Sequence, residues 1–199
     1  GPMMAAVDEF DITVKGKGGH AASPHLAIDP VVISAQVISA VQTIISRSTD
    51  PVDKALISIT KINAGTAYNV IDDQVKMGGT IRTFRRETRA YIEKRLNELC
   101  KGIADAHGAE IKIEFDLVNK YPPTINSKEE TKFAANVAKD LVGDDKVITD
   151  IDPSMGGEDF SYLLEKKPGS YLYLGQGDEE HSAHLHTTTV SYTHLTLPT

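Results

Sequence analysis

With 199 residues, 40% hydrophobic and 25% charged, the chain has an ordinary globular composition, enough for one medium domain or two small ones, and disorder throughout is excluded. A formal net charge of -7 opposes nonspecific binding to nucleic acid or to an anionic membrane surface, since like charges repel. No apolar run reaches the ~18 residues of a membrane span, and no secretory apolar region opens the chain, so a soluble, cytoplasmic protein without nucleic-acid or membrane partners is expected.

Gly1-Pro2 reads as a protease-cleavage scar and is set aside. Residues 8–15 alternate, with Phe10, Ile12 and Val14 on one side, which predicts a half-buried strand. A Gly-rich turn follows at Gly16, Gly18 and Gly19. Asp29-Pro30 then opens an apolar-periodic run from Val31 to Ile45, a largely buried helix that ends before Pro51. Residues 55–62 predict a strand, broken by Asn63-Ala64-Gly65, and residues 74–84 another. The spacing of Ile92, Leu96, Leu99 and Ile103 predicts a helix over about 87–107, with Gly108 where a cap needs positive φ. Cys100 falls inside this helix as buried filler; as the single cysteine it excludes an intrachain disulfide and fits a reducing compartment. Residues 109–118 alternate again.

The order β-α-β-β-α-β is the split-βαβ, ferredoxin-like pattern, an α+β fold with an antiparallel sheet and two helices on one face. Beyond it lie a Pro- and Asn-rich loop over 121–126 and a helix over about 128–141, with Ser127 as N-cap and Glu130 at the capping-box position. A loop from Gly156 runs into a short helix ending near Leu164, and residues 171–174 read as a short strand. Residues 119 onward are too few to bury a core of their own and look like part of a larger domain.

Four segments carry a resemblance: "DEFDITVKGKGGHAASPHLAIDP" (8–30), "GTAYNVIDD" (65–73), "GGTIRTF" (78–84) and "MGGEDFSYLLEKKPGSYLYLG" (155–175). In this order they resemble the M20 metal-dependent amidohydrolases, the group of aminoacylase, hippurate hydrolase and auxin-conjugate hydrolase. The resemblance implies that residues 8–118 are a lid, or dimerisation, domain and 119–189 the closing part of the catalytic domain. It further implies an enzyme that hydrolyses the amide bond of an N-acyl amino acid or small peptide with two divalent metal ions, zinc or manganese, as a homodimer through the lid. The family's H-x-C-G-H-D-type and E-E-type motifs, which supply most metal ligands and the general base, are missing, so this chain alone is expected to be inactive and to hold no metal tightly. A noncatalytic homodimerisation or small-ligand-binding module is the alternative.

The resemblance also suggests roles for single residues. His20 matches a histidine that reaches across the dimer to the substrate carbonyl, where a donor aimed at a developing oxyanion lowers the barrier. Asn69 matches a substrate-positioning residue, or is a turn Asn bonding its own backbone. Arg82 is either a bidentate holder of a substrate carboxylate or one half of a cross-strand salt bridge. Gly156 and Gly157 open a loop whose backbone N–H groups suit an anion. Leu185-His186 matches the family's late metal-ligating histidine; His181, His184 and His25 are incidental. Residues 190–199 back-translate to a sequence resembling a transposase adapter and are read as a non-native tail.

Overall fold

Alternation sets the first long strand. The computed structural model, which describes residues 1–116, 118 and 120–175, begins with β1 (Pro2–Met4) and β2 (Ala6–Lys15). Strand β2 buries Phe10, Ile12 and Val14 on one face and exposes Glu9, Asp11 and Lys15 on the other. After β3 (Gly19–His20) comes helix α1 (Pro30–Thr43), continued by one π-type turn over Ile44–Ser48. Asp29 caps α1, its Oδ1 accepting from the N–H of Val31 at 2.9 Å and of Val32 at 3.4 Å. Strands β4 (Ala55–Asn63), β5 (Val70–Ile71) and β6 (Gln74–Thr83) lead to α2 (Arg86–His107) and β7 (Glu110–Phe115). Gly108 ends α2 in the left-handed region at φ 65°, as expected from the sequence.

The main sheet is antiparallel with order β4-β6-β2-β7. Its register sets Ile12 opposite Met77 and Val14 opposite Val75, so side chains of one phase share one face. Onto that face α1 places Ile33, Val37 and Val41, and α2 places Ile92, Leu96, Cys100 and Ala104 at four-residue intervals, all buried. The two helices also touch each other. The mixed α/β layering follows the sequence expectation, while the short strands β3 and β5 add to the expected order of elements.

The segment Pro30–Ser48 is 19 residues long with mean hydropathy 1.3, long and apolar enough to span a membrane by composition, which corrects the reading that no run reaches that length. Helical periodicity resolves it: Ile33, Val37, Val41 and Ile44 face the sheet, while Gln36, Ser39 and Gln42 face outward.

Other elements depart from expectation as well. Residues 1–2 belong to the fold: Pro2 pairs with Ile125 of β8 (Thr124–Ile125), inside the stretch read as a loop, and the Gly1 amino group donates to Asn126 O at 2.7 Å. Ser127 sits at the N-cap of α3 (Lys128–Val142), but its side chain makes no cap bond and its Oγ accepts from Gly169 N–H at 3.2 Å instead. Residues 171–174 form no strand. The Asn126 side chain takes both backbone groups of Tyr171, accepting from its N–H at 2.7 Å and donating to its carbonyl at 2.8 Å. Helix α3 buries none of its residues and exposes Phe133, Val137 and Leu141, and the short α4 (Ser161–Leu164) buries only Ser161.

Candidate functional site

Close backbone approach shapes the Gly-rich turn. A Cβ on Gly16 would lie 2.0 Å from Ile28 O, and one on Gly18 would lie 2.9 Å from Ile71 O, so neither position tolerates a side chain without movement. Gly16 N–H donates to Asp73 O at 2.8 Å, and Lys17 and Ile28 exchange two backbone bonds of 2.9 Å. These contacts hold β3 beside β5, with His20 opposite Val70, and Ala21 N–H donates to Asn69 O at 3.0 Å. The ribbon thereby brings together His20 and Asn69, two residues 49 positions apart, and leaves both exposed to solvent. His20 Nδ1 accepts from the N–H of Ala22 at 3.0 Å. Asn69 ends an exposed loop in which Gly65 has φ 80° and Thr66 Oγ1 donates to Asp72 Oδ1 at 3.0 Å.

Arg82 lies at the other end of β6, opposite Val7 of β2 and Leu56 of β4. It is half-buried, and its guanidinium donates to Ile81 O at 3.1 Å and to Thr80 Oγ1. Among the described residues no carboxylate lies within ion-pair distance of it. Burial lowers its pKa from the ordinary value, opposed by the fields of Glu9 and Asp8, and an arginine stays charged through such a shift. Gly157 packs on the same face: a Cβ there would lie 2.1 Å from Val7 Cγ2. Gly156 donates its N–H to Ser154 Oγ at 3.1 Å and accepts from Ala5 N–H at 2.9 Å. Glu158 accepts from the Tyr171 hydroxyl at 3.1 Å, and burial, then Glu158, raises the pKa of that phenol.

The structure therefore makes two groups of the predicted residues. His20 and Asn69 lie beyond the Gln74 end of β6; Arg82, Gly156 and Gly157 lie at the Thr83 end. Eight residue steps along the strand separate Gln74 from Arg82, about 26 Å at ~3.3 Å per step. His186, and with it His181 and His184, lies outside the described residues. Among the described residues no three His, Cys, Asp or Glu side chains are grouped so that they could hold a metal ion, so these donors do not fit a two-metal centre.

One charged cluster escaped the sequence reading. Asp8 is 1% exposed on the helix-facing side of β2; its Oδ1 pairs with Arg89 of α2 and lies 3.8 Å from Lys120 Nζ. Glu93 joins both cations, 3.8 Å from Arg89 and 3.7 Å from Lys120. The signal was present in the alternation: Asp8 occupies the same phase as Phe10, Ile12 and Val14, and a charge at a core position requires a partner.

The sequence model of peptidase family M20/M25/M40 matches residues 3–196. The N-acetylcysteine deacetylase of Bacillus subtilis (strain 168) is 39% identical over 181 residues, 90% of this chain and 46% of that protein. The hippurate hydrolase of Campylobacter jejuni is 38% identical over 188 residues, 94% of this chain and 48% of that protein. The chain thus spans about half the length of the curated relatives it matches. Among solved structures, a Bacillus subtilis dinuclear metal-binding peptidase of the M20 family aligns with TM-score 0.65 and 35% identity, covering 85% of this chain and 40% of that one.

Proposed function

The chain belongs to peptidase family M20/M25/M40, and on that premise we propose that it is the lid and closing segment of a metal-dependent amidohydrolase acting on an N-acyl amino acid or small peptide. Residues 8–118, with strand order β4-β6-β2-β7 and two helices on one face, are the ferredoxin-like lid; 119–189 belong to the catalytic domain. The observation that carries the reading is the pairing of β3 with β5, which presents His20 and Asn69 side by side and exposed.

His20 donates to the carbonyl oxygen as charge develops on it, and Asn69 orients the acyl group. Arg82 holds the substrate carboxylate, a role supported by its half-buried guanidinium without a carboxylate partner among the described residues. A dipeptide-sized substrate spans about 7 Å, far less than the ~26 Å of β6 between the two groups. One chain cannot apply both to the same molecule, so His20 and Asn69 serve the partner subunit's site. That requirement, the position of β4 at the sheet edge among the described strands, and the exposed Val31 and Val32 on α1 support a homodimer through the lid. In the intact enzyme His186 would be this chain's contribution to holding two divalent ions, zinc or manganese, whose chemistry would be to polarise the amide carbonyl and activate water. This chain alone is proposed to be inactive.

The test is a graft of residues 3–186 into the matching half of the Bacillus subtilis N-acetylcysteine deacetylase, assayed on N-acetylcysteine and hippurate. Turnover by the graft, falling about 10²–10³-fold in kcat for His20→Ala, is expected. An active graft in which His20→Ala changes nothing overturns the role of His20. Light scattering reads the dimer: twice 21.6 kDa is expected for the free chain, and a monomer at high concentration refutes it.

A further inference from the structure

Resting on the reading of His20 as the donor that faces substrate, we propose that the backbone N–H of Ala22 is the positioning group that sets the tautomer of His20, so that the ring presents Nε2–H outward.

The geometry leaves one assignment. A neutral imidazole has one donor nitrogen and one acceptor nitrogen. The Ala22 N–H lies 3.0 Å from His20 Nδ1, and an N–H can donate only to a lone pair. Nδ1 is therefore the acceptor, and the ring proton resides on Nε2. Two flanking amides hold the backbone of the same turn. Ala21 N–H donates across the ribbon to Asn69 O at 3.0 Å, and Ser23 N–H closes a turn onto His20 O at 2.8 Å. The amides of residues 21, 22 and 23 are thus all engaged, one with each of the partner strand, the imidazole and the turn. Behind them Gly19 packs against Ala27, where a Cβ on Gly19 would lie 3.3 Å from the Ala27 Cβ. The backbone of the turn and His20 Nδ1 are thus held by hydrogen bonds within the ribbon, while the ring itself is exposed.

The consequence is chemical. With Nε2–H outward, His20 stabilises negative charge on a carbonyl oxygen and cannot take a proton from water. The opposite tautomer would aim a lone pair at the same oxygen and repel it. Ala22, which has no functional side chain, thereby acts through His20.

The test uses the whole 199-residue chain labelled with ¹⁵N, at a pH where the ring ¹⁵N shifts themselves report a neutral imidazole. Long-range ¹H–¹⁵N correlations report which ring nitrogen carries the proton. Scalar coupling across an N–H···N hydrogen bond reports directly whether the Ala22 amide bonds His20 Nδ1. The expected result is a proton on Nε2 together with coupling between the Ala22 amide nitrogen and Nδ1. Ala22→Pro deletes the donor and is expected to produce a mixture of tautomers, while Ala22→Gly retains both signatures. A proton on Nδ1, or no coupling in the unsubstituted chain, overturns the proposal, as does Ala22→Pro with unchanged tautomer populations. The coupling is read without any substitution, so a variant that loses the turn does not obscure it. Neither readout depends on catalysis: an inactive graft alongside the coupling refutes the functional reading and leaves the tautomer assignment standing.

Discussion

Replacing Arg89 by Met isolates what the buried Asp8 cluster contributes. Asp8 is 1% exposed and Arg89 15%, and they are in direct contact; the second cation, Lys120, is 3.8 Å from Asp8 and 31% exposed. At an effective dielectric constant of ~20, a unit charge 3.8 Å away contributes roughly 4 kcal/mol of Coulomb energy. Desolvating a carboxylate costs several kcal/mol in return, so the pair is close to balanced while intact. Once Arg89 is gone the desolvation cost remains and, among the described residues, Lys120 is the cation left to oppose it. Breaking a buried pair costs about 3–5 kcal/mol, and the surviving cation puts Arg89→Met at the low end, about 3 kcal/mol, a large part of the ~5–15 kcal/mol of an ordinary domain. The double variant Asp8→Leu/Arg89→Met removes the stranded charge with its partner and is expected to recover most of the loss. Urea unfolding followed by circular dichroism measures both, provided the dependence on denaturant is the same. A single variant costing less than about 1 kcal/mol, with a double variant no more stable than it, would refute the reasoning.

Three further substitutions probe the architecture. Gly157→Ala places a methyl 2.1 Å from Val7 Cγ2 and is expected to cost about 1–3 kcal/mol; combining it with Val7→Ala restores room, and a Gly157→Ala chain with wild-type stability contradicts the packing. Asp29→Ala removes the cap of α1 at Val31 and Val32 and should lower stability by ~1 kcal/mol, read as a shift in the urea midpoint. Burial pushes the Cys100 thiol from 9.0 up to about 11. In the folded state it stays protonated at pH 8 and should resist thiol reagents until the chain is unfolded. Since the unfolded thiol ionises first, the folded state binds more protons between pH 9.0 and about 11, and stability falls as pH rises through that window. Cys100→Ala should flatten this alkaline decline, and an equal decline in both chains rejects the assignment.

Local periodicity made most of the main sheet and both its helices legible. Phe10, Ile12 and Val14 alternate, Ile92, Leu96 and Cys100 recur every four residues, and Gly108 marks a helix end, each a property of residues close in the chain. What misled was backbone pairing over long separations. Residues 2–4 and 124–125 make a strand pair that neither segment announces, and 171–174 read as a strand until Asn126, 45 residues earlier, takes the backbone of Tyr171. Asp8 looked like the start of a strand, and only α2 and Lys120 show it as the centre of a charge cluster.

By itself the sequence determined the mixed α/β fold, its long strands and main helices and, through four motifs, the hydrolase family. These are carried by residue identity and by period, which survive without coordinates. Only the tertiary structure decided which candidate residues meet. Register and the close approaches at Gly16 and Gly18 join His20 to Asn69, while the length of β6 holds both away from Arg82. Separation along a chain carries no direct measure of distance in space, because strand pairing and rigid strand length set that distance.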